Sequence, residues 1–348
     1  MANKNFSPAV TLLKPLKGCD AQTEESLRSW LAQDFAAPIQ ILFGVASAND
    51  PVCKMIEKLI AENPHSDAKL IVCGESRGPN AKVSTLIQLE QHAKNEILVI
   101  SDADVRVPKD FLTNVVPPLE KSEVGLVNCF YHLANPTTLA MQWEAVAINA
   151  DFWSQVLQSQ SLKPLDFALG AVMATRREQI KNIGGFESLA DFLADDFQLG
   201  NKSARTGKQI VLSPAVVECW ESPMNWQTVW AHQLRWARTI RVCQPAPFFF
   251  SILSNATLWT LLFTVALIAD HHRFWFVPIS IFLPVRIQAA LKMQEWLTRD
   301  SKHYAWFWLV PIKDLLNVAI WAMAFVGNKV EWRGETFSVL PGGKLQRD

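Results

Sequence analysis

Between about residue 9 and residue 215 the chain alternates short apolar runs with helical patterns, and this alternation limits the possible folds more than any other feature. The runs are AVTLL (9–13), IQILFGVA (39–46), KLIVC (69–73), EILVIS (96–101) and VGLVNCF (124–130). Between them lie TEESLRSWLAQ, DPVCKMIEKLIAEN and NAKVSTLIQLEQHAK. In the last of these Val83, Leu86, Leu89 and Ala93 recur every three to four residues, which gives one buried helix face. A continuously apolar strand is buried on both sides, so the pattern predicts a mostly parallel sheet covered by helices on both faces. A length of 348 residues fits one large domain or two ordinary ones.

From Phe248 the character changes. FFFSILSNATLWTLLFTVALIA (248–269) is 22 residues without a charge, long enough for a membrane span. FWFVPISIFLPV (274–285) contains two prolines and stops at Arg286, and AWFWLVPI (305–312) meets Lys313-Asp314 before LLNVAIWAMAFVG (315–327) resumes. The later segments suit kinked spans, re-entrant hairpins or helices half-sunk in one leaflet. Lys313 and Asp314 are costly in such a setting unless they serve function or form a buried pair, or unless the segment ends there and restarts. Eleven of the 14 tryptophans fall between Trp220 and Trp332. An indole suits the membrane–water boundary, and a Trp-rich soluble core is the alternative.

NWQTVWAHQLRWARTIRV (225–242) precedes the apolar region, with Arg235, Arg238 and Arg241 on one helical face and Trp226, Trp230 and Trp236 beside them. It reads as an interfacial helix, as a holder of an anionic leaving group, or as a solvated basic face. The expected organisation is a nucleotide-binding catalytic domain over 1–222, this helix over 223–245, and a membrane-associated helical region and tail over 246–348. The formal net charge of zero gives no sign of a nucleic-acid partner. The six cysteines form no C-x-x-C pair and read as buried reduced thiols rather than a zinc site or disulfide frame. The opening MANKNFSPAV lacks an apolar signal core, so neither a cleavable signal nor a leading anchor is expected.

Ligands of an open parallel sheet bind beyond the carboxyl ends of its strands. Asp50 follows ILFGVA by four residues, and Asp102 and Asp104 follow ILVIS directly. Alternation along an extended chain puts Asp102 and Asp104 on one side, where like charges repel unless a cation sits among them. Mg²⁺ or Mn²⁺, which prefer carboxylate and phosphate oxygens, would bridge this pair to a nucleotide diphosphate. A third acidic site, SLADFLADDFQLG (188–200), places Asp195 and Asp196 at a helix start, with Asp191 just before. Simple N-capping and dipole complementarity are the alternative there.

The order NDP, SDAD, LADDFQLG, HQLRW and then apolar segments resembles the ceramide glucosyltransferase family, including its bacterial lipid-glycosyltransferase relatives. The likeness runs from about Leu13 to Gly343 and includes LLKPLKG (12–18), GPNAKV (78–83) and VEWRGETFSVLPGG (330–343). It implies an α/β, A-type glycosyltransferase fold (Rossmann-like) followed by C-terminal membrane-associated helices. It also implies inverting transfer of a hexose, glucose above all, from a UDP-sugar to a lipid hydroxyl, with ceramide the first expectation. Diacylglycerol or a hopanoid, with UDP-galactose or UDP-N-acetylglucosamine, are alternatives, as is a processive polysaccharide synthase. By the same resemblance Asp196 is the base. Lys14, Pro15, Asp50, Lys82, Asp102, His232, Arg235 and Trp236 serve the donor, and Asp102 with Asp104 the metal. His232 departs from the family pattern, which has Gln or Arg at that position. The implied setting is a membrane, with the catalytic domain facing the cytoplasm.

Overall fold

The computed structural model describes residues 6–332 and 335–347. The chain forms two compact units. One comprises the residues up to Tyr131 together with Ser159–Ser222, the other His132–Gln158 together with the chain from Pro223 onward.

The first unit is built on one eight-stranded sheet. Its strands are β1 (Val10–Leu16), β2 (Ile39–Val45), β3 (Asp67–Val72), β4 (Ile97–Ser101), β5 (Val105–Arg106), β6 (Val124–Leu133), β7 (Val172–Arg176) and β8 (Gln209–Cys219). They lie in the order β3-β2-β1-β4-β7-β6-β8-β5. The pairs β1/β2, β1/β4 and β2/β3 are parallel, as strand–helix alternation requires. Beyond β4 the sense changes, and β4/β7, β6/β7 and β5/β8 are antiparallel. The sheet is therefore mixed, which corrects the expectation of a mostly parallel one. The strands that change it are poorly marked in sequence: β7 ends in Thr-Arg, and β8 is interrupted by Ser213-Pro214. β1 and β4 are buried along their whole length, and Leu13, Leu42, Leu86, Leu98, Ile100 and Phe186 share one core. Gly44 admits that packing, because a Cβ there would lie 2.5 Å from the Thr85 methyl on the Ala81–Glu90 helix.

The second unit is mainly helical. Leu139–Val146 continues into a π-helical turn, Ala147–Phe152. Trp226–Cys243, Pro245–Phe250, Ala256–Ala269, Val277–Thr298 and Leu309–Ala324 follow. A small antiparallel sheet of β9 (Lys329–Trp332), β10 (Glu335–Val339) and β11 (Leu345–Arg347) closes the unit in the order β11-β10-β9. Residues 132–158 belong here, although their sequence position had put them in the 1–222 segment. Val146 and Ala150 from that stretch share a core with Ala290, Leu309 and Val310, which explains the allegiance.

The 22-residue uncharged run does not form one helix. Asn255 breaks it: its side chain caps the next helix by accepting from the Leu258 N–H, and its amide donates to the Asp314 carbonyl. Pro245–Ser254 and Ala256–Ala269 meet at 52°. Among the described residues no single helix is long and apolar enough to cross a membrane, and this bent pair meets the length and composition requirement only together. Many large apolar side chains of these helices are nonetheless exposed, among them Phe250, Leu253, Phe263, Phe282, Val285 and Val326. Lys313 and Asp314 form the buried pairing that was one of the readings. Arg286 grips Asp314 with two hydrogen bonds of 2.8 and 2.9 Å and Asp151 with one of 2.6 Å, while Lys313 pairs with Asp151. The six cysteines are free, and Cys53, Cys73 and Cys129 are buried.

Candidate active site

Parallel pairing brings the carboxyl ends of β1, β2 and β4 to one edge, and each delivers part of the site there. The turn after β1 ends at Gly18, whose N–H donates to both oxygens of Asp50 at 3.0 Å. Asp50, just beyond β2, also accepts from the Val52 N–H at the start of the next helix. It thus ties two strand-end loops together. Lys14 and Pro15 are buried within β1. The Lys14 ammonium donates to the Ser101 hydroxyl and the Asp102 carbonyl, so both residues bear on the site as its floor, not as exposed groups. Burial pulls the Lys14 pKa down to about 8, against the charges of Asp104 and Asp102.

Asp102 and Asp104 stand at the end of β4. The Asp102 N–H donates to the Ala171 carbonyl, which joins them to the turn that leads into β7. Lys82, in the first turn of the Ala81–Glu90 helix, reaches Asp102 at 2.7 Å and Asp195 at 3.0 Å. Burial pulls the Lys82 pKa down, but these carboxylates outweigh it and hold the ammonium above its usual range. Asn80 caps the same helix through the Val83 N–H and turns its amide to the Phe192 carbonyl and, more weakly, to Asp195. Sequence reading marked GPNAKV (78–83) but gave Asn80 no role of its own, and it placed Asp195 at a helix start beside Asp196 without separating their tasks. The N-x-K spacing, which puts a cap and a cation in one helical turn, was the available signal.

Asp195 and Asp196 open the Asp195–Arg205 helix but have different fates. Asp195 is buried and committed to Lys82. Asp196 accepts from the Phe197 N–H and rests against Gly170. Burial first, and then the charge of Asp195, push its carboxyl up to about 7. Asp104 is pushed up to about 6 by burial and by Asp102. Such a group takes up and releases a proton near neutrality, as a base must.

Among the described residues, the carboxyls of Asp102, Asp104, Asp195 and Asp196 share their surroundings with the ammonium groups of Lys14 and Lys82. Among the described residues no three His, Cys, Asp or Glu side chains converge on a metal position. The carboxylates that could hold an ion are Asp102 and Asp104, a pair that would suit one taking one or two carboxylates and completing its shell from substrate phosphates and water.

His232, Arg235 and Trp236 lie in the second unit on the Trp226–Cys243 helix. Nδ1 of His232 is 2.7 Å from Oε1 of Glu144, which is fully buried and also accepts from Gln233 at 2.9 Å. The Trp236 ring meets His232 edge-on at 5.0 Å and packs on Phe152. Arg235 is partly buried. Arg238 donates to the Val326 and Lys329 carbonyls and Arg241 to the Asn328 side chain. Glu144 carried no sequence signal, since it sits in an apolar helix 88 residues before its partner.

The fold defines the class. A mannosyltransferase from Pyrobaculum calidifontis, solved in complex with GDP-Man and Mn²⁺, superposes with a TM-score of 0.55 over 94% of this chain and 89% of its own, at 20% identity. The architecture is that of the A-type glycosyltransferases. Residues 1–345 match the family described as glycosyl transferase family 21, and the chain belongs to that family. The ceramide glucosyltransferase of Candida albicans is 35% identical over 118 residues, 31% of this chain and 22% of that one. Ceramide glucosyltransferase 3 of Caenorhabditis elegans is 18% identical over 356 residues, 97% of this chain and 74% of that one. The chain thus spans less than a quarter of the Candida relative and about three quarters of the nematode one.

Proposed function

We propose that this protein transfers a hexose, glucose above all, from a UDP-sugar to the hydroxyl of a membrane lipid, with inversion, and that the acceptor is ceramide. The observation that carries this reading is the division of labour between the adjacent carboxyls: Lys82 ties Asp195 to Asp102, and Asp196 is left beside Gly170 with a proton affinity near neutral. The names of the relatives support the lipid and the sugar.

In this account the lipid hydroxyl attacks the anomeric carbon while Asp196 takes its proton. The bond from that carbon to the β-phosphate oxygen breaks, and its electrons leave with UDP. Asp102 and Asp104 would hold Mg²⁺ or Mn²⁺, which supplies neutralising charge to the diphosphate. Lys82 sets the position of Asp102 and keeps Asp195 out of the proton transfer. Asp50 shapes the Gly18 turn against which the nucleotide lies. On the second unit, Arg235 and His232, the latter held by Glu144, are the donors that the family resemblance offers. Trp236 braces His232.

The exposed apolar side chains of the 245–327 helices support attachment to a bilayer; a cytoplasmic setting for the catalytic unit follows from the family resemblance alone. The reading is tested by mass spectrometry of lipids from a host expressing the chain. New hexosyl-ceramide is expected. Hexosyl-diacylglycerol or an amino-sugar lipid instead would move the acceptor or donor, and a long polysaccharide would replace the reading with a processive synthase.

A further inference from the structure

Glu144 is fully buried on the Leu139–Val146 helix, where Met141, Ala145 and Val146 are buried with it. Its Oε1 accepts from the Gln233 amide at 2.9 Å and lies 2.7 Å from Nδ1 of His232. Its Oε2 has no partner among the described residues. A buried carboxyl with one oxygen unsatisfied costs stability, and an apolar side chain of similar size would pack there without that cost. The worth of Glu144 to the chain therefore lies in the two donors it holds.

His232 and Gln233 are consecutive on the Trp226–Cys243 helix, and Arg235 and Trp236 follow one turn on, on the face of His232. Trp236 meets the imidazole edge-on at 5.0 Å and itself packs on Phe152. Nε2 of His232 makes no hydrogen bond among the described residues, and the side chain is 19% exposed. A carboxylate accepts hydrogen bonds and has no proton to give. Paired with one, Nδ1 is the ring nitrogen that carries hydrogen, and the ring cannot turn over without losing the bond. Only Nε2 is then left for substrate. Glutamine or arginine, the residues of the family pattern at this position, has no tautomer to choose, so a histidine alone needs such a partner.

We propose that Glu144 is a positioning residue, which keeps the proton of His232 on Nδ1 and so reserves Nε2 for substrate. The proposal deepens the transfer reading above and rests on it only for what Nε2 then serves.

The test labels the full chain with ¹⁵N-histidine and assigns His232 as the signal lost in His232→Gln. Long-range ¹H–¹⁵N spectra of the singly protonated ring tell its bare nitrogen from its protonated one. The proton is expected on Nδ1 in the wild type and partly on Nε2 in Glu144→Gln, whose amide can donate to Nδ1 as well as accept from it. The same substitution should lower kcat by about 10–100-fold, the order seen when the carboxylate behind a metal-bound histidine is removed, with UDP-sugar KM unchanged. In a His232→Gln background it should change kcat by less than about twofold, because no tautomer remains to be set. Gln233→Leu removes the other donor, and should keep the proton on Nδ1 and most of the activity. A wild-type ring protonated on Nε2 would put the shared proton on Glu144 and overturn the proposal. So would an equal loss from Glu144→Gln with and without His232, or an equal loss from Gln233→Leu, since either marks a packing role alone. A chain that shows the Nδ1 proton but moves no sugar refutes the reaction and leaves the positioning intact. An active enzyme with an Nε2-protonated ring does the reverse.

Discussion

Replacing Gly170 by alanine should disable the enzyme while leaving it folded. A Cβ at this position would lie 2.7 Å from Oδ2 of Asp196, 3.2 Å from its Cγ and 3.3 Å from its Cβ, where ordinary contact begins at 3.4 Å. The carboxylate must therefore retreat by roughly 0.7 Å, and because Cγ is also crowded the whole side chain has to rotate. Gly170 does not occupy the left-handed region, so the backbone tolerates alanine and overpacking costs at most about 1–3 kcal/mol. Catalysis is less forgiving, since a misplacement on the order of 1 Å in a reacting group costs about 10²-fold. A comparable fall in kcat is expected, with UDP-sugar affinity unchanged by calorimetry. The assay follows UDP release in the presence of lipid acceptor. If Gly170→Ala keeps activity within about twofold, which is far less than the expected loss, Asp196 does not act from the position described.

Three other outcomes follow from the same geometry. Asp196 is protonated below its raised pKa and cannot accept the hydroxyl proton, so kcat/KM should rise with pH through about 7 and then level; a profile flat across neutral pH would exclude it as the titrating base. Lys82→Met leaves Asp195 buried without its cation, which should cost about 3–5 kcal/mol in denaturant unfolding, far more than Asp196→Asn. Arg286→Met should destabilise the second unit by a similar amount of about 3–5 kcal/mol, because Asp314 loses its main partner and Asp151 keeps only Lys313 of its two; an unchanged unfolding midpoint would show the network to be dispensable.

The parts of the site legible in sequence were those that local pattern encodes. Asp102 and Asp104 follow an apolar strand directly, and such a strand must end at the sheet edge where ligands bind. Asp195 and Asp196 open a helix, which sequence marks by acids before a helical pattern. The choice between them was not derivable from pattern, because it depends on Lys82 arriving from another helix more than a hundred residues away. Glu144 and His232, and Asp151 with Arg286 and Lys313, are likewise pairings between distant segments that periodicity does not record. The length of an apolar run also misled. Asn255 looks neutral within the uncharged run, yet an asparagine able to cap is enough to end one helix and begin another.

The central claim is that Asp196 moves a hexose onto a lipid hydroxyl, and stoichiometry tests it most directly. Purified wild-type chain, UDP-glucose, Mn²⁺ and ceramide vesicles should give UDP and a single β-linked glucosyl lipid in equal amounts. Asp196→Asn should bind UDP-glucose normally and form that lipid about 10²–10⁴-fold more slowly, the range for a lost base. Asp195→Asn should retain more of the transfer than Asp196→Asn. UDP released without a glycolipid, an α-linked product, or full transfer by Asp196→Asn alongside a dead Asp195→Asn would each contradict the account.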